Sequence, residues 1–238
     1  MKLFIPQIDC LLELGKEKCQ SLVIENQAVW CSILNDMAEQ LRGNEGKIVL
    51  SCNDKIIPLS KNVELISQFI PFDMNQKGLL TKIMNEMQKI AVSEQHFAQT
   101  TTALSSWEKY LLELTADIVG NIGFSKINLE SLIKSAGIEV ENVYDNLGEK
   151  ILDYFELVSV YDGKKLFVLV NLRSYLSEHE MKEFLKNVIV HQYEILLVDS
   201  IEHPILDLEK RYIVDADQCI LVLCQDLVQV KMRNFSPF

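Results

Sequence analysis

Three aspartates are the first residues in the chain that could do chemistry. Asp199 ends the apolar run EILLVD, and Asp215 and Asp217 lie in the string YIVDAD. In an open parallel sheet, ligands gather outside the carboxyl ends of the strands, so acids placed there could hold a divalent cation for an ATPase or a metal-dependent nuclease. The competing reading is that these aspartates cap loops and turns. Ser174, Ser177 and Ser200 have no glycine elbow to present a nucleophile, which leaves a hydrolase triad unsupported. The segment RGNEGKIVL fails as a phosphate loop because its glycines are too close together and no Ser or Thr follows Lys47. A strand rather than a helix comes next, so no helix N-terminus is present to hold a phosphate, and no nucleotide is expected. Asp207, Glu209, Lys210 and Arg211 form a mixed charge run that reads as a solvated face.

The six cysteines, Cys10, Cys19, Cys31, Cys52, Cys219 and Cys224, form no CxxC pair, and the four histidines show neither HxxxH nor HExxH spacing. A zinc site has no support, and the cysteines read as buried thiols. The net charge of -11 argues against a protein that coats nucleic acid by bulk attraction. Lysines lining one concave surface would still suffice. The modest basic groups are Lys16 with Lys18, Lys47 with Lys55, and Lys77, Lys82 and Lys89. Lys82 and Lys89 share a helical face, and no aromatics interleave with these lysines to stack single-stranded bases, so a duplex backbone is the expected nucleic-acid target. No apolar run approaches the roughly 20 residues that span a bilayer, and the start MKLFIPQ is cut by Pro6 before it could act as a signal. A cytoplasmic protein with no membrane partner is expected.

Positioning any of these residues falls to residues 165–199, which read as strand, helix, strand. LFVLV is an apolar run too short for a free helix, Ser177 with Glu180 makes a capping box, and EILLVD closes the unit as a second buried strand. Parallel strands joined by a helix need partners. Residues 2–5 and 20–25 supply strands, and Asn26 caps a helix running to Leu41 with Val29, Ile33, Leu34, Met37 and Leu41 on one stripe. KIVLSC and KIIPL flank Asn53-Asp54 as a hairpin. A short helix is expected from Ser60 to about Phe69. Residues 75–119 show helical spacing broken near Gln99 to Thr102, Asn128 caps a helix stopped by Gly137, and a further helix spans about Asp145 to Tyr161. A short helical piece follows Pro204, and β-prone residues return at Ile213 and at Cys219 to Leu223. The tail VQVKMRNFSPF has no assignment. The fold class is therefore α/β, a mostly parallel sheet head formed by residues 1–72 plus 163–238, with an inserted all-helical arm at 73–162.

The opening KLFIP, the string VIEN at residues 23–26 leading into a helix, LFVLVN followed by Tyr175-Leu176-Ser177, and YIVDAD occur in an order that resembles the Csn-two family, the accessory protein of type II-A CRISPR loci. The resemblance implies a degenerate ATPase-like head without a working nucleotide site and a helical arm. It also implies a non-enzymatic homotetrameric ring that takes double-stranded DNA ends through a basic hole, binds calcium and assists spacer acquisition in antiviral defence. The partners implied are the CRISPR integrase proteins and the RNA-guided nuclease of the same locus. Family members carry an acidic cluster just before the helix that here begins at Asn128, where this chain has Gly123-Phe124-Ser125-Lys126. Glu139, Glu141, Asp145 and Glu149 are the acids nearby that would serve as calcium ligands.

Overall fold

A computed structural model describes residues 1–141, 143–217, 219–224 and 227–231 of the chain. In chain order the first elements are β1 (Lys2–Ile5), β2 (Cys10–Glu13), β3 (Cys19–Ile24), α1 (Gln27–Leu41), β4 (Val49–Cys52), β5 (Lys55–Ile57), α2 (Leu59–Asn62) and β6 (Val63–Ile66). Next come α3 (Lys77–Ala91), α4 (Phe97–Ala116), α5 (Leu129–Ser135) and α6 (Leu147–Leu157). The last are β7 (Leu166–Val170), α7 (Glu178–Val190), β8 (Glu194–Asp199), β9 (Glu209–Val214), β10 (Ile220–Cys224) and β11 (Leu227–Lys231). The chain divides into two compact units, one of residues 1–73 with 143–238 and one of residues 74–142.

The first unit holds a seven-stranded sheet of order β11-β10-β9-β3-β8-β7-β6 and a four-stranded sheet of order β2-β1-β4-β5. In the larger sheet β9, β3, β8, β7 and β6 run parallel, and β10 and β11 add antiparallel at one edge. The smaller sheet is antiparallel throughout, and its β4–β5 hairpin turns on Asn53 and Asp54, both with positive φ as a tight two-residue hairpin requires.

Side chains alternate across a strand, so each face of the larger sheet has its own partners. Leu22, Ile24, Leu196, Val198, Tyr212 and Val214 join Leu3, Ile5, Leu12 and Leu50 of the smaller sheet and Ile33 and Met37 of α1 in one core. Asn26 starts α1 by accepting from the backbone N–H groups of Ala28 and Val29. On the opposite face Phe167 stacks on Phe155 of α6 at 3.9 Å, and Phe184 of α7 and Tyr193 close around that pair. The capping box predicted at Ser177 and Glu180 is present in both directions.

Several boundaries differ from the sequence reading, each for a local reason. The helix expected from Ser60 to Phe69 is only the single turn of α2, because Val63 to Ile66 pair in parallel with Leu166 to Leu169 as β6. Among the described residues no helix follows Pro204, and residues 203–206 carry no regular structure. The region expected to be an arm at 73–162 gives up α6 to the first unit, where the Phe155–Phe167 stack holds it. The helical break falls at residues 92–96 instead of Gln99 to Thr102, since Thr101 and Thr102 return their hydroxyls to the carbonyls of Phe97 and Ala98 and stay helical. The unassigned tail begins in β11, and its residues 232–238 lie outside the described residues.

The second unit comprises α3, α4 and α5. Its two ends are joined by Asn75, whose side-chain amide donates to the Val140 carbonyl at 3.2 Å and accepts from the Val140 N–H at 2.7 Å. None of the 20 residues of α4 is buried.

Candidate functional site at the carboxyl ends of the parallel strands

The chain leaves β3 for α1 on one face of the larger sheet and leaves β7 for α7 on the other, so β3 and β8 flank the point where connections change sides. That is where an open α/β sheet opens a crevice for a ligand. Here the crevice is filled by the protein. Only Glu25 and Asn26 separate β3 from α1, too short a link to wrap a phosphate, and the Asn26 carboxamide oxygen already serves the first N–H groups of the helix. At the end of β7, Asn171 adopts a left-handed conformation (φ 55°), and its carboxamide oxygen accepts from the Ser200 N–H at 3.0 Å and from the Ser200 hydroxyl at 3.2 Å. This ties the ends of β7 and β8 together.

Beside this junction lies a buried ionic network. The register places Cys19 beside Glu209, Ser21 beside Leu197 and Arg211, and Val23 beside Asp199, all on one face of the sheet. Arg173, from the turn after β7, brings its Nε to 3.4 Å from Asp199 Oδ2 and pairs its Nη2 with Glu209 Oε2. Arg211 pairs with the other oxygen of Glu209, donates to the carbonyls of His203 and Pro204, and approaches Glu202 at 3.8 Å. Asp199, Glu209 and Arg211 are each 1% exposed. Burial raises the Asp199 carboxyl to about 6 despite the neighbouring Arg173 guanidinium, with Glu209 adding to the rise. Burial, reinforced by Glu209, pushes the Cys19 thiol to about 12. The imidazole of His203 is shifted down by burial and then by Arg173 and Arg211.

The other two aspartates do not join Asp199. Asp215 accepts from the Cys219 N–H at 2.7 Å as a turn cap, and Asp217 is exposed beyond it. Glu209 and Arg211 overturn the solvated-face reading of their charge run, because their alternation with Lys210 is strand periodicity and both point inward. That period of two beside YIV was the available signal. Nothing in sequence pointed to Arg173.

Residues 43–47, weighed above as a phosphate loop, are fastened internally. Asp36 of α1 accepts from the Lys47 N–H at 3.2 Å on both oxygens and from the side chains of Gln7 and Gln40. A carboxylate of the chain thus occupies the N–H group an anion would need.

The lysines separate into several places. Lys16 and Lys18, in the turn after β2, and Lys55, at the start of β5, lie at one end of the smaller sheet, while Lys47 lies at the other. Glu13, Glu17 and Asp54 share the former end, and Lys2 reaches Asp54 at 3.7 Å. Lys77, Lys82 and Lys89 stand exposed on α3, with Lys82 and Lys89 about 10 Å apart along one face and Lys89 paired to Glu86 at 2.7 Å. The acids proposed for calcium divide between the units, Glu139 and Glu141 in the second, Asp145 and Glu149 in the first. Among the described residues no three His, Cys, Asp or Glu side chains are grouped to hold a metal ion.

The topology and the filled crevice define an α/β protein whose ligand position is closed by its own side chains, carrying an inserted helical unit. The family model for the CRISPR-associated protein (Cas_Csn2) matches residues 40–218, and the chain belongs to that family. The CRISPR-associated protein Csn2 of Streptococcus agalactiae is 23% identical over 164 residues, 66% of this chain and 70% of the relative. The protein of the same name from Enterococcus faecalis is 22% identical over 158 residues, 63% and 68% of the two chains. Among solved structures, one described as an ABC transporter ATP-binding protein from Pyrococcus furiosus aligns with a TM-score of 0.36 and 12% identity over 85% of this chain and 88% of its own. A metal-chelate type ABC transporter aligns at 0.38 and 14% over 93% and 80%. At such TM-scores the likeness carries no argument about nucleotide chemistry. No helix among the described residues is long and apolar enough to cross a membrane.

Proposed function

We propose that this chain is a non-enzymatic ring protein that binds double-stranded DNA ends and assists spacer acquisition in type II-A CRISPR adaptation. It acts in the cytoplasm beside the integrase proteins and the RNA-guided nuclease of its locus. The observation that carries the reading is the family match across residues 40–218. The closed crevice supports the non-enzymatic part, since Asp199, the acid best placed for an ATPase or nuclease, is spent on Arg173. Exposed apolar side chains on α4, including Phe97, Trp107, Leu112 and Leu114, support assembly through the helical unit, because monomers rarely leave so much of a helix uncovered. The helical unit holds six lysines and eight acids, so most of the -11 charge lies in the first unit. Calcium belongs to the same reading, with ligands from more than one copy, and no step is assigned to it.

The test is a gel shift with linear and covalently closed circular duplex across a salt series. Linear DNA should be retained, closed circles should not, and affinity should fall steeply with salt as phosphate counterions are released. Equal retention of both forms overturns end binding. A solution mass of four copies is expected with calcium, and a single copy under all conditions removes the ring.

A further inference from the structure

We propose that Asp199 and Glu209 form a dicarboxylate cation site whose resident cation is Arg173, carried into place by the chain itself on the turn after β7. The two carboxylates lie on one buried face of the larger sheet, Asp199 at the carboxyl end of β8 and Glu209 at the amino end of β9, and buried charges of one sign need a counter-charge. Arg173 contacts both of them, with its Nε at 3.4 Å from Asp199 Oδ2 and its Nη2 on Glu209 Oε2. A planar guanidinium can bridge two carboxylates in this way, which an ammonium cannot do with the same geometry. Arg211 supplies the second positive charge and fixes Glu209 through its other oxygen, so two acids and two guanidiniums leave the buried set neutral.

Both oxygens of Asp199 lack a hydrogen-bond partner, as does Arg173 Nε, among the described residues. Arg173 therefore holds Asp199 as an ion pair at 3.4 Å. Arg173 also links the turn after β7 to the start of β9, and Arg211 holds residues 203–204 through their carbonyls, so the tethered cation joins three segments across one face of the sheet. With Arg173 and Arg211 in place the two acids are charge-balanced without a metal ion.

The experiment uses the full chain with Arg173→Ala and measures thermal unfolding with millimolar guanidinium or methylguanidinium chloride, against sodium chloride and urea at equal concentration. The variant should melt below the wild type, and guanidinium salts should restore a large part of the loss while leaving the wild type unchanged. A variant as stable as the wild type, or one that no guanidinium salt restores, overturns the proposal. If Arg173→Ala does not fold, two further measurements decide. Arg173→Lys should melt below the wild type, and equal stability counts against the bridging role. Manganese added to the wild-type protein should leave the NMR signals of residues 195–199 and 209–213 unbroadened, and selective broadening there overturns the assignment.

Discussion

Asp199 makes the pH dependence of this fold predictable at the level of one side chain. Its carboxyl is raised to about 6 in the folded protein, chiefly by burial, from an ordinary value of 3.8. A carboxyl whose folded pKa lies above its unfolded one binds its proton more tightly when folded. Its contribution to stability is thus complete below about 3.8 and is lost as pH rises through about 6. The amount is at most about 3 kcal/mol. Asp199→Asn should therefore flatten the dependence of unfolding free energy on pH between 4 and 7, as measured by urea denaturation, and an unchanged slope would show that Asp199 is not the group responsible. Cys19 gives a second expectation, since its buried thiol is pushed to about 12 and Cys31 is exposed. Iodoacetamide at pH 8 should modify Cys31 and leave Cys19 unmodified until the chain unfolds, as peptide mass spectrometry would report. The sequence made Asp199 visible as an acid at a strand end but concealed its partner, because an arginine in a turn is ordinarily solvated and only the folded chain brings it across to the sheet.

Phe155 is fully buried in α6 and stacks on Phe167, so the element depends on one aromatic contact more than on its own helical propensity. Phe155→Ala should lower stability by about 3–5 kcal/mol, and denaturant unfolding would check it. Gly46 shows a different constraint, because a Cβ there would collide with Asp36 Oδ1 and the Gln40 side chain, the groups that fasten residues 43–47 to α1. Gly46→Ala is expected to cost about 1–2 kcal/mol in the same measurement. Elements with strong local signals were legible: β7 and β8 as buried apolar runs, α1 from Asn26, and α7 from its capping box. The misread elements were those decided by a distant partner. β6 is a strand because β7 lies alongside it, and α6 belongs to the first unit because Phe167 receives its Phe155.

The molecule as a whole concentrates negative charge in one unit and uncovered apolar surface in the other. Trp107→Glu places a charge on the exposed α4, and under the proposed assembly it should reduce the solution mass by light scattering while leaving the circular dichroism of the chain unchanged. A fully retained mass would direct assembly to another surface. What the chain could not disclose by itself is the separation of its lysines, since Lys16 and Lys55 lie at one end of the smaller sheet on its two opposite edges and Lys47 stands at the other end. The pair of hydrogen bonds between Asn75 and Val140 has a consequence at this scale as well. Because departure and return of the intervening 64 residues are sewn together by a single amide, that stretch is topologically a cassette. It can lengthen, shorten or be exchanged for a counterpart from a relative while the surrounding sheet sees the same pair of ends.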